Sequence, residues 1–305
     1  GRYADALLGL DHALGSSAQH LGAWNNRGRA LQALNRHEEA IASFDKALAA
    51  DRTYGDAHFN AAMSLLTCGN LQRGFSEYEW RWKRTGMTDA RRGYSGRLWL
   101  GEFPIDRRTI LLSAEQGLGD TIQFVRYAPL LARMGAQVIL EVQPELKELL
   151  SAVDGVSSCH ARGETLPAYD LHCPLGSLPL ALKTELPTIP AGSPYLHAGE
   201  APLAKWRPTI EALPGKRVAL AWAGHARHAN DRNRSIDLKL LEPLIACEGV
   251  SFFSIQRELR GDDAATLTRL GVRDFGPQLT DMTDTAAILA LAELARLLHE
   301  PFRLD

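Results

Sequence analysis

Thr109-Ile110-Leu111-Leu112-Ser113 and, one residue on, Glu115-Gln116-Gly117-Leu118-Gly119-Asp120-Thr121 decide the reading of this chain. A β-branched and leucine run, closed by a glycine-rich turn and followed by a helical pattern, is the opening β–loop–α unit of a nucleotide-binding-type domain. Gly117 and Gly119 would let the backbone turn tightly and approach a ligand, with an acid at the start of the helix. An acid facing a crevice beyond the C-terminal end of a parallel strand can act as a base, which makes Asp120 the candidate catalytic residue. Asp120 also fits a structural role, because Asp120-Thr121-Ile122-Gln123 spells a helix capping box. Glu115 is the alternative acid, placed where a structural hydrogen bond is expected.

The alternation continues downstream. Residues 121–134 read as one helix, 137–142 as a strand, 144–150 as a helix with proline in its first turn, and 156–159 and 170–173 as short strands. A proline-rich passage from Pro174 to Pro214 reads as irregular loop and interdomain linker. A second alternating unit opens at Arg217-Val218-Ala219-Leu220-Ala221-Trp222. It runs through a polar loop, a helix at 238–247, a strand at 251–255 and a helix near 262–270. Two open parallel sheets in tandem are the expected α/β architecture, with a cleft between them.

The front of the chain is different. Trp24, Gly28, Leu31, Ala40, Phe44 and Ala47 recur as His58, Ala62, Leu65, Gly74, Tyr78 and Arg81, each 34 positions on (58 − 24 = 34). That is the period of tetratricopeptide helix pairs, whose stack offers a concave surface for a protein segment. Ala6, Leu10 and Ala13 fall on the second helix of an earlier, incomplete unit. The resemblance to tetratricopeptide repeats weakens where Gly74 and Arg81 replace alanines. The predicted organisation is therefore helical repeats over 1–84, a linker over 85–104, a first Rossmann-like domain over 105–200 and a partial second one over 201–305.

Composition sets outer limits. The 305 residues carry a formal charge of −2, which gives no global reason to expect nucleic acid. The local basic cluster of Arg81, Lys83, Arg84, Arg91 and Arg92 reads as a solvated helix end and linker. Cys68, Cys159, Cys173 and Cys247 form no close pair, so neither a zinc nor a disulfide framework is indicated and a reducing, cytoplasmic setting fits. No apolar run is long enough to span a bilayer; the richest, 286–298, is interrupted by Glu293 and Arg296 and reads as a packed helix. The chain begins at Gly1 without methionine, inside an apparent helix, so its true N-terminus and any targeting signal are expected to lie upstream.

Three segments together carry a family resemblance: 115–124 (Glu-Gln-Gly-Leu-Gly-Asp-Thr-Ile-Gln-Phe), 170–179 (Asp-Leu-His-Cys-Pro-Leu-Gly-Ser-Leu-Pro), and Trp222-Ala223-Gly224 through Asn230-Asp231-Arg232-Asn233-Arg234-Ser235. They resemble bacterial tetratricopeptide-repeat glycosyltransferases, whose catalytic part is similar to the heptosyltransferase family with its two-Rossmann GT-B fold. The resemblance runs from about Leu21 to Ala290. It implies an inverting, metal-independent transfer from a nucleotide-diphospho sugar, with no cofactor beyond that donor. It implies Asp120 as base toward the acceptor hydroxyl, and the loop from His225 to Ser235 facing the donor phosphates.

The residue chemistry agrees in part. Arg232 and Arg234 present fixed forks of donors suited to phosphate, and Ser235 or a loop N–H can add to them. The bland alternative is a solvated loop with Ser235-Ile236-Asp237 opening the next helix. His225 and His228 have a spacing that permits a metal, yet no third ligand joins them, so phosphate contact or exposure is expected. His225 also stands where relatives often carry asparagine. Asp170, His172 and Ser177, with Gly117 and Gly119, are candidates for the acceptor-side wall, although a shaped structural loop is favoured for Asp170, His172 and Ser177.

The chain departs from its relatives near its end. They continue with a hydrophobic strand and an aspartate–threonine pair before a histidine, whereas residues 290–301 read here as a helix, so His299 inherits no role. The second sheet is then expected to lack its final strands, and donor binding to be weak. Two functions remain open: a glycosyltransferase whose repeats deliver a protein or glycan acceptor, and a repeat-based interaction scaffold with a degenerate transferase domain.

Overall fold

The computed structural model describes residues 2–16, 20–85, 93–192, 194–226 and 231–297. Its first helices follow the 34-residue step: α1 (Tyr3–Ser16), α2 (Leu21–Ala33), α3 (His37–Ala50), α4 (Gly55–Thr67) and α5 (Leu71–Tyr78). The helices pack in sequence around Leu7, Leu31, Ala40, Phe44, Ala61 and Leu65. The period extends to the turns. Asn35 and Gly69, 34 apart, both lie at positive φ and end α2 and α4. The next residues, Arg36 and Asn70, donate back to Leu31 and Leu65, the six-to-one closure of a Schellman motif. Gly28 has to be small, because a Cβ there would sit 2.3 Å from the Phe44 ring.

By its contacts the chain divides into two compact units: Gly1–Val142 with Asp154–Gly192, and Gln143–Val153 with Ser193–Asp305. The first holds the repeats and a parallel five-stranded sheet of β1 (Arg97–Leu98), β2 (Thr109–Ser113), β3 (Gln137–Val142), β4 (Val156–Ala161) and β5 (Leu171–Pro174), in the order β1-β5-β2-β3-β4. Ile110, Leu111 and Leu112 are all inaccessible, as a parallel strand covered on both faces requires. The chain runs from β2 through β3 to β4 on one side and returns to β5 on the other. The C-terminal end of β2 is therefore the switch point of the sheet, where α/β folds hold ligands.

Two local expectations change here. The single helix over 121–134 is two, α6 (Leu118–Val125) and α7 (Ala128–Arg133). Pro129 has no N–H and its ring crowds the preceding turn, so the helix must restart around it. The turn also has another basis than the one expected. Neither Gly117 nor Gly119 lies at positive φ, and a Cβ on Gly119 would meet nothing within 4 Å. These glycines leave bare backbone rather than a conformation only glycine can adopt.

The second unit carries β6 (Lys216–Ala221), β7 (Val250–Ser254), β8 (Arg273–Asp274) and β9 (Leu294–Leu297), all parallel, in the order β8-β7-β6-β9. Trp206, Ala219, Phe253, Phe275 and Ile288 fill one face, and Val218, Leu220, Trp222, Leu238 and Leu267 the other. The helices are α8 (Lys147–Ser151), which packs on α13 (Met282–Leu291), together with α10 (Glu200–Glu211), α11 (Glu242–Ile245) and α12 (Asp263–Arg269). α9 (Leu178–Ala181) belongs to the first unit.

Two sequence expectations are overturned in this unit. Pro202 and Pro208 do not mark a loop but lie within α10; Pro202 is in the first turn, where the missing N–H costs nothing. The helix expected over 290–301 ends at Leu291. Ala292 turns to extended backbone, Glu293 N–H donates to Arg217 O, and the next four residues pair with β6. Alanine, leucine and glutamate favour a helix in isolation, but an open edge on β6 offers a full ladder of backbone partners and wins. β6 is thereby flanked on both sides and becomes the switch point of the second sheet. No helix among the described residues is long and apolar enough to cross a membrane, and none of the four cysteines forms a disulfide.

Candidate functional site

β2 runs straight into Ser113, Ala114 and Glu115 at the first switch point. Glu115 is 91 % buried as a side chain, its solvent exposure being 9%. Its Oε1 pairs with Arg81 Nη2 at 3.0 Å and accepts the Gly176 N–H at 3.2 Å, from the turn that follows β5. Burial pushes its pKa up, and the Arg81 guanidinium opposes this without reversing it. A Cβ on Gly176 would lie 2.6 Å from Oε1, so a larger residue there has to displace the carboxylate.

Arg81 is the hub. It extends α5 in a 3-10 turn, Glu79–Lys83, and is 3% exposed. Nη1 donates to Glu79 Oε1 at 2.6 Å, and Nη2 to Ser177 Oγ at 2.6 Å; Ser177 in turn donates to the same Glu79 oxygen at 2.7 Å. The guanidinium also lies over the rings of Tyr78 and Trp82, at 4.7 and 4.5 Å. Tyr78, buried against it, has its phenol pushed up to about 12 by burial. The expectation of a solvated helix end is thus wrong for Arg81. The residue that breaks the repeat pattern, where the preceding unit carries Ala47, is the one that joins the repeat to the sheet. Its misfit with the alanine slot was the available signal.

A pocket of about 460 Å³ opens against this junction. Glu79, Trp80, Trp82 and Lys83 line it from the repeat, and Tyr94, Glu115, Arg162 and His172 from the sheet side. His172 Nδ1 lies 2.8 Å from Gly96 O and must donate to it, which leaves Nε2 as an acceptor; burial lowers its pKa and keeps it neutral. Tyr94 donates to Glu141 at 2.6 Å and lies 5.2 Å from the His172 ring. Arg162 Nη2 donates to Ala114 O, just past the end of β2.

The acceptor-side candidates are placed unequally. Asp120 is half-buried at the third position of α6, and its Oδ2 accepts the Gly117 N–H at 3.0 Å. The helix therefore starts after Gly117, and Asp120 is the residue reaching back rather than the cap itself. Neither Asp120, Gly117 nor Gly119 lines the pocket. Ser177 is fully enclosed with its hydroxyl engaged by Arg81 and Glu79, so no acceptor reaches it. Asp170 precedes β5 and accepts from Thr109 N at 2.9 Å, at the start of β2. Strands that run parallel put that position at the opposite end of the sheet from the glycine turn, and Asp170 cannot serve an acceptor there. Of the second motif, His172 reaches the pocket.

In the second unit, the loop after β6 is held by Gln256, whose Oε1 accepts from Trp222 N and Ala223 N, both at 3.1 Å, and whose Nε2 donates to Ala223 O at 2.8 Å. Ser235 Oγ accepts from Gly224 N at 3.2 Å and donates to Asp231 Oδ1 at 2.7 Å. Arg260 grips Asp231 with Nη1 at 2.7 Å and also donates to Gly224 O. Gln256 and Arg260 carried no motif and were not foreseen. Arg234 is half-buried and its backbone N–H donates to Asp231 O at 2.9 Å; His225 is exposed just past Gly224. His228, His299 and the Arg232 side chain lie outside the described residues. Among the described residues no cluster of three metal-ligand side chains occurs.

Comparisons with known proteins match the repeats by themselves and also nearly the whole chain. A tetratricopeptide repeat model matches residues 17–79. Protein FlbA of Caulobacter vibrioides is 25% identical over 96% of this chain, and the chain spans about half, 54%, of FlbA. Among solved structures, a glycosyl transferase of family 9 from Veillonella parvula aligns over 63% of this chain and 75% of its own, at 8% identity and a TM-score of 0.46. An O-GlcNAc transferase from Thermobaculum terrenum aligns over 97% of this chain and 78% of its own, at 12% identity and a TM-score of 0.27.

Proposed function

We propose that this chain is a glycosyltransferase that moves a sugar from a nucleotide-diphospho sugar to an acceptor delivered by the repeats. The observation that carries the reading is that each unit sets one of the resembling motifs at the switch point of its own parallel sheet. Such crevices are where α/β folds bind ligands. The polar loop after β6 takes the donor, with Arg232 and Arg234 supplying positive charge toward the diphosphate. The first unit takes the acceptor. Asp120, half-exposed just beyond the glycine turn, accepts the proton of the acceptor hydroxyl. That oxygen then forms its bond to the anomeric carbon as the bond to the diphosphate breaks, with inversion. Arginine charge stands in place of a metal on the leaving group.

Donor binding by calorimetry with UDP- and GDP-sugars, and turnover compared with Asp120→Asn, test the reading. Asp120→Asn is expected to lower kcat by about 100-fold or more with donor affinity kept. Equal residual activity in both removes Asp120 as base, and absence of donor binding removes the transferase assignment. One observation favours the scaffold reading: Asp231 engages both Ser235 and Arg260, which puts an acid inside the loop meant for phosphate.

A further inference from the structure

The pocket beside the repeat junction has a charge pattern that the proposed transfer does not use. Its two carboxylates, Glu79 and Glu115, are already shared by one buried guanidinium, that of Arg81. Its other two cations, Arg162 and Lys83, have no carboxylate within ion-pair distance among the described residues; Arg162 is held by a carbonyl and Lys83 lies 4.4 Å above the Trp80 ring. Both lining carboxylates are thus engaged by Arg81, which leaves Arg162 and Lys83 as the cations facing a space whose other walls include Trp82 and Tyr94. His172 adds no charge, because burial keeps it neutral.

We propose that this pocket, built jointly by the last repeat helix and the first sheet, binds a sugar that carries a carboxylate. Arg162, held by a backbone carbonyl and without a carboxylate partner among the described residues, calls for one negative group on the ligand, and its planar guanidinium suits a carboxylate. The aromatic walls offer flat apolar faces to the C–H face of a pyranose ring. Glu115 and the free Nε2 of His172 can accept from ring hydroxyls. At about 460 Å³ the space falls within the range of small-ligand sites. The assignment rests on the lining alone, and it stands or falls separately from the transferase reading.

Binding of D-glucuronate, D-glucose and UDP to the whole chain, followed by calorimetry and tryptophan fluorescence, tests it. Glucuronate is expected to bind about tenfold more tightly than glucose. Arg162→Gln is expected to erase that preference, and Lys83→Gln, at an exposed position that should fold normally, to reduce it; Trp82→Ala should weaken both sugars. Equal affinity for the two sugars, no binding of either, or binding indifferent to all three substitutions overturns the proposal. Competition by UDP for the glucuronate site also overturns it, since the pocket would then be a nucleotide site. UDP binding that survives Arg162→Gln and Trp82→Ala while glucuronate binding is lost supports it, and leaves the donor assignment in the second unit to its own test.

Discussion

The two switch points are built alike and finished differently. One follows β2 and the other β6, and at each the later strands of the sheet are laid down on both sides. After β2 the chain turns at once into α6, and the polar group that matters, Glu115, is buried and locked to the repeat through Arg81. After β6 the chain makes a long loop, and its acid, Asp231, pairs with Arg260 while still partly open to solvent. A buried pair fixes backbone position at a high cost if broken, whereas a half-exposed pair can rearrange around a ligand at little cost. The first switch point is therefore a rigid wall and the second an adaptable one.

Breaking the buried pair is the severest test of that contrast. Arg81→Met strands Glu79 and Glu115 without their cation, and is expected to cost about 3–5 kcal/mol of unfolding free energy. Adding Glu79→Gln and Glu115→Gln to Arg81→Met should recover part of the loss, because no buried charge then remains unpaired. Denaturant unfolding monitored by tryptophan fluorescence measures both. A cost below 1 kcal/mol for Arg81→Met would show that the junction is solvated and the contrast false.

The second switch point has one rigid element, and it is neutral. Gln256→Met removes partners from the N–H groups of Trp222 and Ala223 and from Ala223 O, with an expected loss of about 2–3 kcal/mol. Smaller again is Gly176→Ala, whose methyl meets a carboxylate oxygen at the end of a side chain that can shift; about 1–2 kcal/mol is expected. Should Gly176→Ala exceed Gln256→Met in the same unfolding assay, the first switch point is the stiffer of the two by a wider margin than the hydrogen bonds alone suggest.

Local pattern carried much of this fold into the sequence. The repeat step, the runs at β2, β3 and β6, and the glycine turn were legible because each depends on periodicity or on residues close together in the chain. β9 was not, since Leu294–Leu297 has helix-forming neighbours and is a strand only because β6 lies beside it. Pro208 misled for the related reason that α10 is held by packing on α13 rather than by propensity. In the site, Asp120 stood out through its motif, but Arg81, Arg162 and Gln256 are joined to Glu115, Ala114 and Trp222 across 34 to 48 residues of chain. Only Arg81 left a trace, as a charge in a slot where the repeat packs alanine.

The strand that makes β6 a switch point is pinned at its entrance by Glu293, which accepts from the Arg217 backbone N–H at 2.7 Å and from its guanidinium. These bonds hold the carboxyl down to about 2, below its usual 4.5. A carboxyl depressed in the folded state adds stability above its unfolded value, and that contribution disappears as pH falls through the folded value. Wild type should therefore lose more stability than Glu293→Gln between pH 4.5 and 2, while the difference between them stays constant above pH 5. The pair lies at the surface, so the effect is expected to be the smallest of the four and to shrink in 1 M salt, where charges are screened beyond about 3 Å. Parallel acid limbs for the two proteins would mean that β9 is held by its backbone ladder to β6 alone.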